Sequence, residues 1–260
     1  ELSKWFEPKP IWNYADPKRR HDRFTEIDAT EKVVKFIRNQ FFKFQERNGG
    51  GRIIEKTPCN VVRLPYVDKI FPKSKIIYIV RHPYAQISSS EYKWQVVVDW
   101  KDRKWAYYRI NQTPKSQLLY YATEFLKNYI NKNILNKKYP RIFGIKYPGI
   151  YQDVERLLPE QVMAMQWSYC SKIAEGDLRK FSSEKIFYLR YEDFVANPKY
   201  YVRELSSFLG LSAPEFLIEQ AEKLVDPKRV DKWKRLDQEI IESCRPHLKD
   251  EMERHNYTFL

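Results

Sequence analysis

Four short apolar runs stand apart along the chain, and each has few polar interruptions. They are RIIEK (52–56), KIIYIV (75–80), RIFGIK (141–146) and KIFYLR (185–190). Runs this short and this apolar are typical of strands that are covered on both faces. We therefore predict four strands, all within a buried sheet.

Helical patterns fill much of the chain between these runs. The first follows Asp28, a candidate N-cap with Glu31 three residues later, and the glycines after Asn48 end it. Its apolar residues recur at helical spacing: Val33, Val34, Ile37, Phe41 and Phe44. The spacing predicts one amphipathic helix over this stretch.

Further helices are predicted over residues 117–136, 160–174 and 237–252, and Pro246 is expected to kink the last of them. Strands that alternate with helices favour an α/β fold, with three layers (α/β/α) around a mostly parallel central sheet. In such sheets the ligand lies beyond the carboxyl ends of the strands. Those ends are therefore where we expect the chemistry.

Composition bears on the ligand only through the sign of its charge. The 260 residues are 43% hydrophobic, enough for one substantial core, and we predict a single domain over residues 1–260. The formal net charge of +13 favours anionic partners such as nucleotides, acidic glycans or nucleic acid. Three widely spaced cysteines, Cys59, Cys170 and Cys244, indicate buried free thiols rather than a zinc site or disulfides.

Cations occupy all four predicted strand ends: Lys56, Arg81, Lys146 and Arg190. A buried charge without a partner is costly, so each cation needs an anionic or hydrogen-bonding group. An ion pair with Glu or Asp would satisfy any one of them. Four cations at one edge of the sheet favour an anionic ligand.

The spacing of Arg81 and Ser89 sharpens this interpretation. Eight residues allow the chain to leave the strand, turn at Pro83 and begin a helix whose serine faces back toward the arginine. Arginine offers a planar two-donor fork, and the helix N-terminus adds N–H groups and a favourable dipole. A phosphate fits between the two side chains.

These residues resemble the sulfotransferases that use 3′-phosphoadenosine 5′-phosphosulfate (PAPS). KIIYIVRHPYAQISSS is similar to the 3′-phosphate motif of that family, and EKTPCN to its strand-end lysine segment. FYLRYEDFVANP looks like its Tyr-Glu-Asp segment, and VDKWKRLDQEI like its Lys-Trp segment. The resemblance runs from Glu55 to the end of the sequence and implies a P-loop nucleotide-kinase-like sulfotransferase fold.

The resemblance also implies roles for particular residues. Arg81 and Ser89 would hold the 3′-phosphate, Tyr191 would contact the nucleoside, and Lys232 would approach from the C-terminal side. Lys56 would lie near the sulfuryl group and stabilise its developing charge, with no metal required. Two alternatives stay open: Tyr191 as a packed aromatic, and Lys232 as a surface lysine whose stem covers a tryptophan.

The sequence departs from the family pattern in two places. The 5′-phosphosulfate loop, with its preceding strand, is expected ahead of Glu1. Pro58 stands where cytosolic small-molecule members carry a catalytic histidine, and His82 lies in the phosphate turn instead. The sequence is therefore more similar to the glycan, tyrosylprotein and bacterial members than to the cytosolic ones. Members that act on tyrosyl or glycan acceptors use a Glu base, and Glu7 is the candidate here; an ordinary exposed carboxylate is the alternative.

The expected reaction moves a sulfuryl group from PAPS to a hydroxyl acceptor, with 3′-phosphoadenosine 5′-phosphate (PAP) as product. Several aromatic residues lie in the segments that shape the acceptor pocket in the family that this sequence resembles: Trp5, Phe6, Trp12, Tyr14, Trp94, Trp100 and Trp105. They favour a glycan or similar alcohol, although core packing explains them equally well. We expect a cytoplasmic location, with an anchored Golgi form as the alternative. A basic nucleic-acid-binding module or a kinase-like nucleotide enzyme is the competing function.

Overall fold

The computed structural model describes residues 9–95, 113–136 and 142–259. Two compact units divide the chain. The first unit comprises residues 1–72 and 92–148, and the second unit comprises residues 73–91 and 149–260. The prediction of a single domain over residues 1–260 stays a prediction.

The described residues are mostly helical, with one pair of strands. In chain order the longer elements are α1 (Lys9–Trp12), α2 (Glu31–Arg47), α3 (Leu64–Ile70), β1 (Ile76–Val80), α4 (Pro83–Gln95), α5 (Leu118–Asn133), α6 (Ile150–Arg156), α7 (Pro159–Leu178), β2 (Ile186–Arg190), α8 (Tyr191–Ala196), α9 (Pro198–Leu209), α10 (Glu215–Leu224) and α11 (Gln238–Arg254). Short 3₁₀ turns connect several of them, among them Glu26–Asp28, Pro58–Val62 and Asp231–Arg235.

The core of the first unit forms around the indole of Trp12. Phe41 and Tyr66 approach it edge-on, with ring centroids 5.3 and 6.3 Å away, and the Tyr66 hydroxyl donates to the Trp12 carbonyl at 3.0 Å. Arg63 is fully buried beside them, and its guanidinium donates to Asn13 and Asn60 at 2.8 Å each. These bonds satisfy its Nε and Nη1 and stabilise the buried charge in part, while the buried Nη2 has no hydrogen-bond partner in the part of the chain that the structure describes.

Helix α2 was predicted correctly apart from its start. It begins at Glu31 after Thr30, so the prediction of Asp28 as N-cap is wrong. Asp28 ends the preceding 3₁₀ turn, where its carboxylate accepts from the Thr25 amide at 2.8 Å and from Arg19 at 2.7 Å. With those partners, the carboxylate stabilises the turn rather than the helix.

The predicted strands at 52–56 and 141–146 are wrong for the residues that the structure describes. Residues 52–56 have no regular structure; Ile54 is 78% exposed, and the Glu55 carboxylate accepts from the Trp12 indole at 3.2 Å. Residues 142–146 run as irregular chain, with Lys146 and Asp22 exchanging hydrogen bonds at 2.7 and 2.8 Å. The first segment thus bonds to a residue of α1 and the second to a loop residue, in place of a neighbouring strand.

The second unit contains the predicted parallel sheet. β1 and β2 pair in parallel, in register from Ile76 opposite Ile186 to Val80 opposite Arg190. The α/β fold class with a parallel sheet is confirmed. Within the described ranges this sheet has two strands, because two of the four predicted runs form none.

Helices α7 and α11 pack against each other in the second unit. Both were predicted: α7 extends beyond the predicted bounds of 160–174 at both ends, and α11 begins one residue after and ends two residues beyond the predicted bounds of 237–252. Helix α11 continues through Pro246, where Cys244 and Leu248 on either side are fully buried. Buried packing on both sides of the proline offsets the hydrogen bond that proline removes.

The three cysteines were predicted to be buried free thiols. All three cysteines are free thiols: Cys59 and Cys244 are buried, and Cys170 is partly buried. Burial raises the pKa of the Cys244 thiol to about 11. A search of the described helices for one long and apolar enough to cross a membrane finds none.

Candidate functional site

Arg81 and Tyr191 lie side by side at the carboxyl edge of the parallel strands. The two strands end opposite each other, at Val80 and Arg190, so the next residue of each chain segment emerges at one edge. The Arg81 guanidinium carbon lies 4.9 Å from the centroid of the Tyr191 ring. This contact orients the arginine through a cation–π interaction.

The Arg81 guanidinium has an unused donor. Its Nε is buried and has no hydrogen-bond partner among the described residues. A buried polar group without a partner costs free energy of order 1–3 kcal/mol, and more when it is charged. An anionic ligand at this edge would supply the missing acceptor.

The peptide group that joins Arg81 to His82 is fixed at both of its polar atoms. The Trp167 indole N–H donates to the Arg81 carbonyl at 3.0 Å. The His82 amide donates to Glu192 Oε1 at 2.9 Å, and Glu192 Oε2 accepts from the Tyr257 hydroxyl at 2.7 Å. Side chains from α7 and α8 therefore set the direction in which the chain leaves β1.

The imidazole of His82 is neutral at physiological pH. Burial lowers its pKa to about 4, and the nearby Glu192 carboxylate opposes this only in part. The ring packs between aromatic residues, with Trp233 stacked on it at 4.1 Å and Tyr257 edge-on at 5.0 Å. His82 therefore acts as a packing residue of the turn, not as a cation.

Lys232 lies beside this aromatic stack in sequence. It belongs to the 3₁₀ turn Asp231–Arg235, where Trp233 is buried and Lys232 is exposed. Trp233 thus anchors the Lys-Trp segment on the turn that carries Arg81. The lysine itself is accessible to solvent and to ligands.

Ser89 lies on α4, two turns from the start of that helix. Its side chain is exposed, and its hydroxyl donates to the Gln86 carbonyl at 3.0 Å within the helix. The helix predicted to follow Arg81 is confirmed, since α4 begins at Pro83. The roles predicted for Ser89, Tyr191 and Lys232 stay predictions.

The two predicted catalytic residues belong to the first unit. Lys56 is exposed and precedes the 3₁₀ turn Pro58–Val62. Glu7 lies outside the described residues. Four strand-ending cations were expected at one edge of the sheet. This is wrong for Lys56 and Lys146, because neither ends a strand.

Sequence analysis assigned no role to Glu192 and identified Arg190 only as a strand-ending cation. The Arg190 guanidinium lies 4.5 Å from the centroid of the Tyr257 ring. Glu192 stands in the Tyr-Glu-Asp segment, so a signal for it was present in the sequence. Nothing in the local sequence marked Trp167 or Tyr257, since both reach the turn from distant segments.

Comparison with models of protein families shows to which family the chain belongs. The model of the sulfotransferase family matches residues 7–160, more than half of the sequence. The chain belongs to the sulfotransferase family. Of the predicted site residues of this sulfotransferase, Glu7, Lys56, Arg81 and Ser89 fall within the matched range.

One solved structure is similar to this sulfotransferase in outline, a sulfotransferase domain from the curacin biosynthetic pathway. The two are 18% identical, the alignment covers 86% of this chain and 69% of the other, and the TM-score is 0.49. A comparison with curated protein sequences finds no match. The family match supports a sulfotransferase activity, with a nucleotide donor and an acceptor as its partners.

Proposed function

We propose that this sulfotransferase moves the sulfuryl group of PAPS to a hydroxyl acceptor and releases PAP. The observation that carries the proposal is the Arg81 guanidinium, which rests on Tyr191 at the strand edge with a buried, unused Nε donor. A terminal phosphate is anionic, and two of its oxygens can accept hydrogen bonds from the planar guanidinium of an arginine. The family match favours this function over a nucleic-acid-binding module or a kinase-like enzyme.

The donor site is proposed to lie in the second unit. Arg81 would pair with the 3′-phosphate, and Ser89 would turn its hydroxyl from the Gln86 carbonyl to the phosphate. Tyr191 would contact the nucleoside while also holding Arg81. Lys232, held in place by buried Trp233, would add positive charge from the C-terminal side.

Glu7 and Lys56 are proposed as the catalytic residues. Glu7 would accept the acceptor's proton as its oxygen attacks sulfur. The Lys56 ammonium would stabilise the charge that develops on the transferring group and on the bridging oxygen. Sulfuryl transfer resembles phosphoryl transfer in depending on positioning and cationic stabilisation more than on covalent chemistry with the enzyme.

A glycan or similar alcohol is the proposed acceptor, and the cytoplasm is the proposed location. Two of the aromatic residues that suggested a sugar platform are core residues: Trp12 is 1% exposed and Trp94 is 2% exposed. Trp5, Phe6, Trp100 and Trp105 lie outside the described residues. Any platform must therefore be sought among those four and Tyr14.

Thermal unfolding tests the donor proposal directly. Unfolding midpoints are measured with PAP, AMP and ATP at equal ionic strength, because a ligand that binds only the folded state raises the midpoint. A larger rise with PAP than with AMP or ATP supports a 3′-phosphate site. Equal rises with all three would show nonspecific anion binding and would overturn the proposal.

Transfer itself is tested by the release of PAP from PAPS in the presence of candidate acceptors. We expect release to depend on the acceptor and to be fastest with a carbohydrate hydroxyl. Simple alcohols and phenols serve as comparison acceptors. Release at the same rate with a phenol as with a sugar would reject the glycan assignment while leaving the donor assignment in place.

A further inference from the structure

We propose that Glu192 is a positioning residue that holds Arg81 in its binding orientation through the Arg81–His82 peptide group. The inference rests on the proposed PAPS function, because it explains how the 3′-phosphate site is kept in shape. Glu192 does not itself touch the nucleotide in this proposal. Its carboxylate is an acceptor for two donors of the protein.

The first support is the geometry of one peptide group. Its carbonyl oxygen, from Arg81, accepts from Trp167 at 3.0 Å, and its N–H, from His82, donates to Glu192 at 2.9 Å. A peptide group is planar, so bonds at both polar atoms fix its plane. The Arg81 Cα lies in that plane, so its bond to the carbonyl carbon has a fixed direction. The arginine side chain begins at this Cα and is positioned with it.

The hydrogen bond from the His82 amide to Glu192 lies directly ahead of helix α4. His82 directly precedes α4, and Pro83 has no N–H to donate. A free N–H at this helix start could turn toward an anionic ligand. Since Glu192 takes the His82 N–H, the ligand is left to the Arg81 side chain and to donors later in α4.

Glu192 is itself held in place by the C-terminal segment. The Tyr257 hydroxyl donates to its second oxygen at 2.7 Å, and Tyr257 is 5% exposed. Burial and the neighbouring Glu192 carboxylate raise the pKa of Tyr257, so the hydroxyl keeps its proton and remains a donor. The carboxylate thus joins residue 82 to residue 257, which lie 110 and 65 positions away from it along the chain.

A binding comparison tests this role. Affinities for PAP and for AMP are measured by calorimetry on the full chain, as wild type and as Glu192→Leu, Glu192→Gln and Tyr257→Phe. We expect Glu192→Leu to weaken PAP binding at least tenfold while changing AMP binding less than twofold. Glu192→Gln keeps one carbonyl acceptor for the His82 N–H, so it should recover part of the loss.

Asp193→Asn is the matched control. Asp193 is the adjacent carboxylate, and within the described chain its side chain forms no hydrogen bond with residues 81–83. It should bind PAP as the wild type does. If Glu192→Leu weakened PAP and AMP binding by the same factor, or weakened neither, its preference for PAP would be unchanged. That result would overturn the positioning role.

Amide hydrogen exchange separates this proposal from the proposed function. In the absence of ligand, the His82 amide should be protected in the wild type and exchange at least tenfold faster in Glu192→Leu, with α7 unchanged. If the wild type shows no preference for PAP, the PAPS function fails, and the exchange rates still decide whether Glu192 holds the turn. Unchanged exchange at His82 would reject the positioning role under either result.

Discussion

The indole of Trp233 stacks on the imidazole of His82, with ring centroids 4.1 Å apart and planes inclined by 15°. This stack joins the C-terminal Lys-Trp segment to the turn that follows β1. The two segments carry Lys232 and Arg81, the two cations proposed to meet the donor nucleotide from different parts of the chain. Their relative placement depends on a stack of neutral rings rather than on an ion pair.

Replacing Arg81 with alanine should weaken PAP binding by about 10- to 100-fold, because a charged hydrogen-bonding group contributes about 1.5–3 kcal/mol. Calorimetry with PAP and AMP measures the loss. Arg81→Lys should recover little, since lysine lacks the planar fork. Arg156→Ala, at an exposed position of α6, is the control for general loss of positive charge. Wild-type affinity in Arg81→Ala would remove the central residue of the donor site.

Replacing Glu7 with glutamine should leave PAP binding unchanged and lower turnover by roughly 10²- to 10⁴-fold, the usual contribution of a general base. Steady-state PAP release at saturating PAPS measures turnover. Glu26→Gln, at an exposed position of the same unit, is the matched control. Turnover within twofold of the wild type would show that another group takes the proton.

Lys56→Ala should lower turnover by about 10²- to 10³-fold, because it removes a cation aimed at charge that develops during transfer. The affinity for PAP should change much less, since PAP lacks the sulfuryl group. Lys69→Ala removes an exposed lysine of the same unit and should have no effect on turnover. An equal loss in PAP affinity and turnover would place Lys56 on the nucleotide instead.

Stability should fall as the pH is lowered from about 6.5 to about 4. Burial lowers the pKa of both His82 and His255 to about 4, so the unfolded chain binds protons in this window that the folded chain does not. Each histidine contributes a slope of at most about 1.4 kcal/mol per pH unit. Urea unfolding at several pH values measures the total slope.

The variant His82→Gln separates the two histidines. It should remove the His82 share of the pH slope between pH 6.5 and 4 and leave the share of His255. Its stability at pH 7 can differ from the wild type for packing reasons, so the slope is the quantity to compare. A slope equal to that of the wild type would mean that the pKa of His82 is the same in the folded and unfolded chain.

The sequence was sufficient for elements whose signal is local. The helical spacing of Val33, Ile37 and Phe41 predicted α2, and the runs at 75–80 and 185–190 predicted β1 and β2. The runs at 52–56 and 141–146 have similar composition but no neighbouring strand in the described chain. An apolar run reports burial and β-propensity, while strand formation also needs a partner that the run does not encode.

The candidate site also contains residues that could be predicted from the sequence and contacts that could not. Arg81 was predicted from its place at a strand end, and Tyr191 from the family resemblance. Each directly follows a strand, and the parallel register brings them together. The contacts of Glu192 with the His82 amide and the Tyr257 hydroxyl could not be predicted, because they depend on how distant segments pack. The donor in the contact with Glu192 is the main-chain N–H of His82, which almost any residue would supply. No sequence motif could therefore have shown this contact.

The aromatic packing around the turn gives the protein an intrinsic optical reporter. Among the described tryptophans, two touch the turn directly: Trp167 donates to the Arg81 carbonyl, and Trp233 stacks on His82. Indole emission responds to changes in hydrogen bonding and in stacked neighbours. Movement of the turn, whether caused by a nucleotide or by a substitution, should therefore be visible as a change in tryptophan fluorescence without any added label.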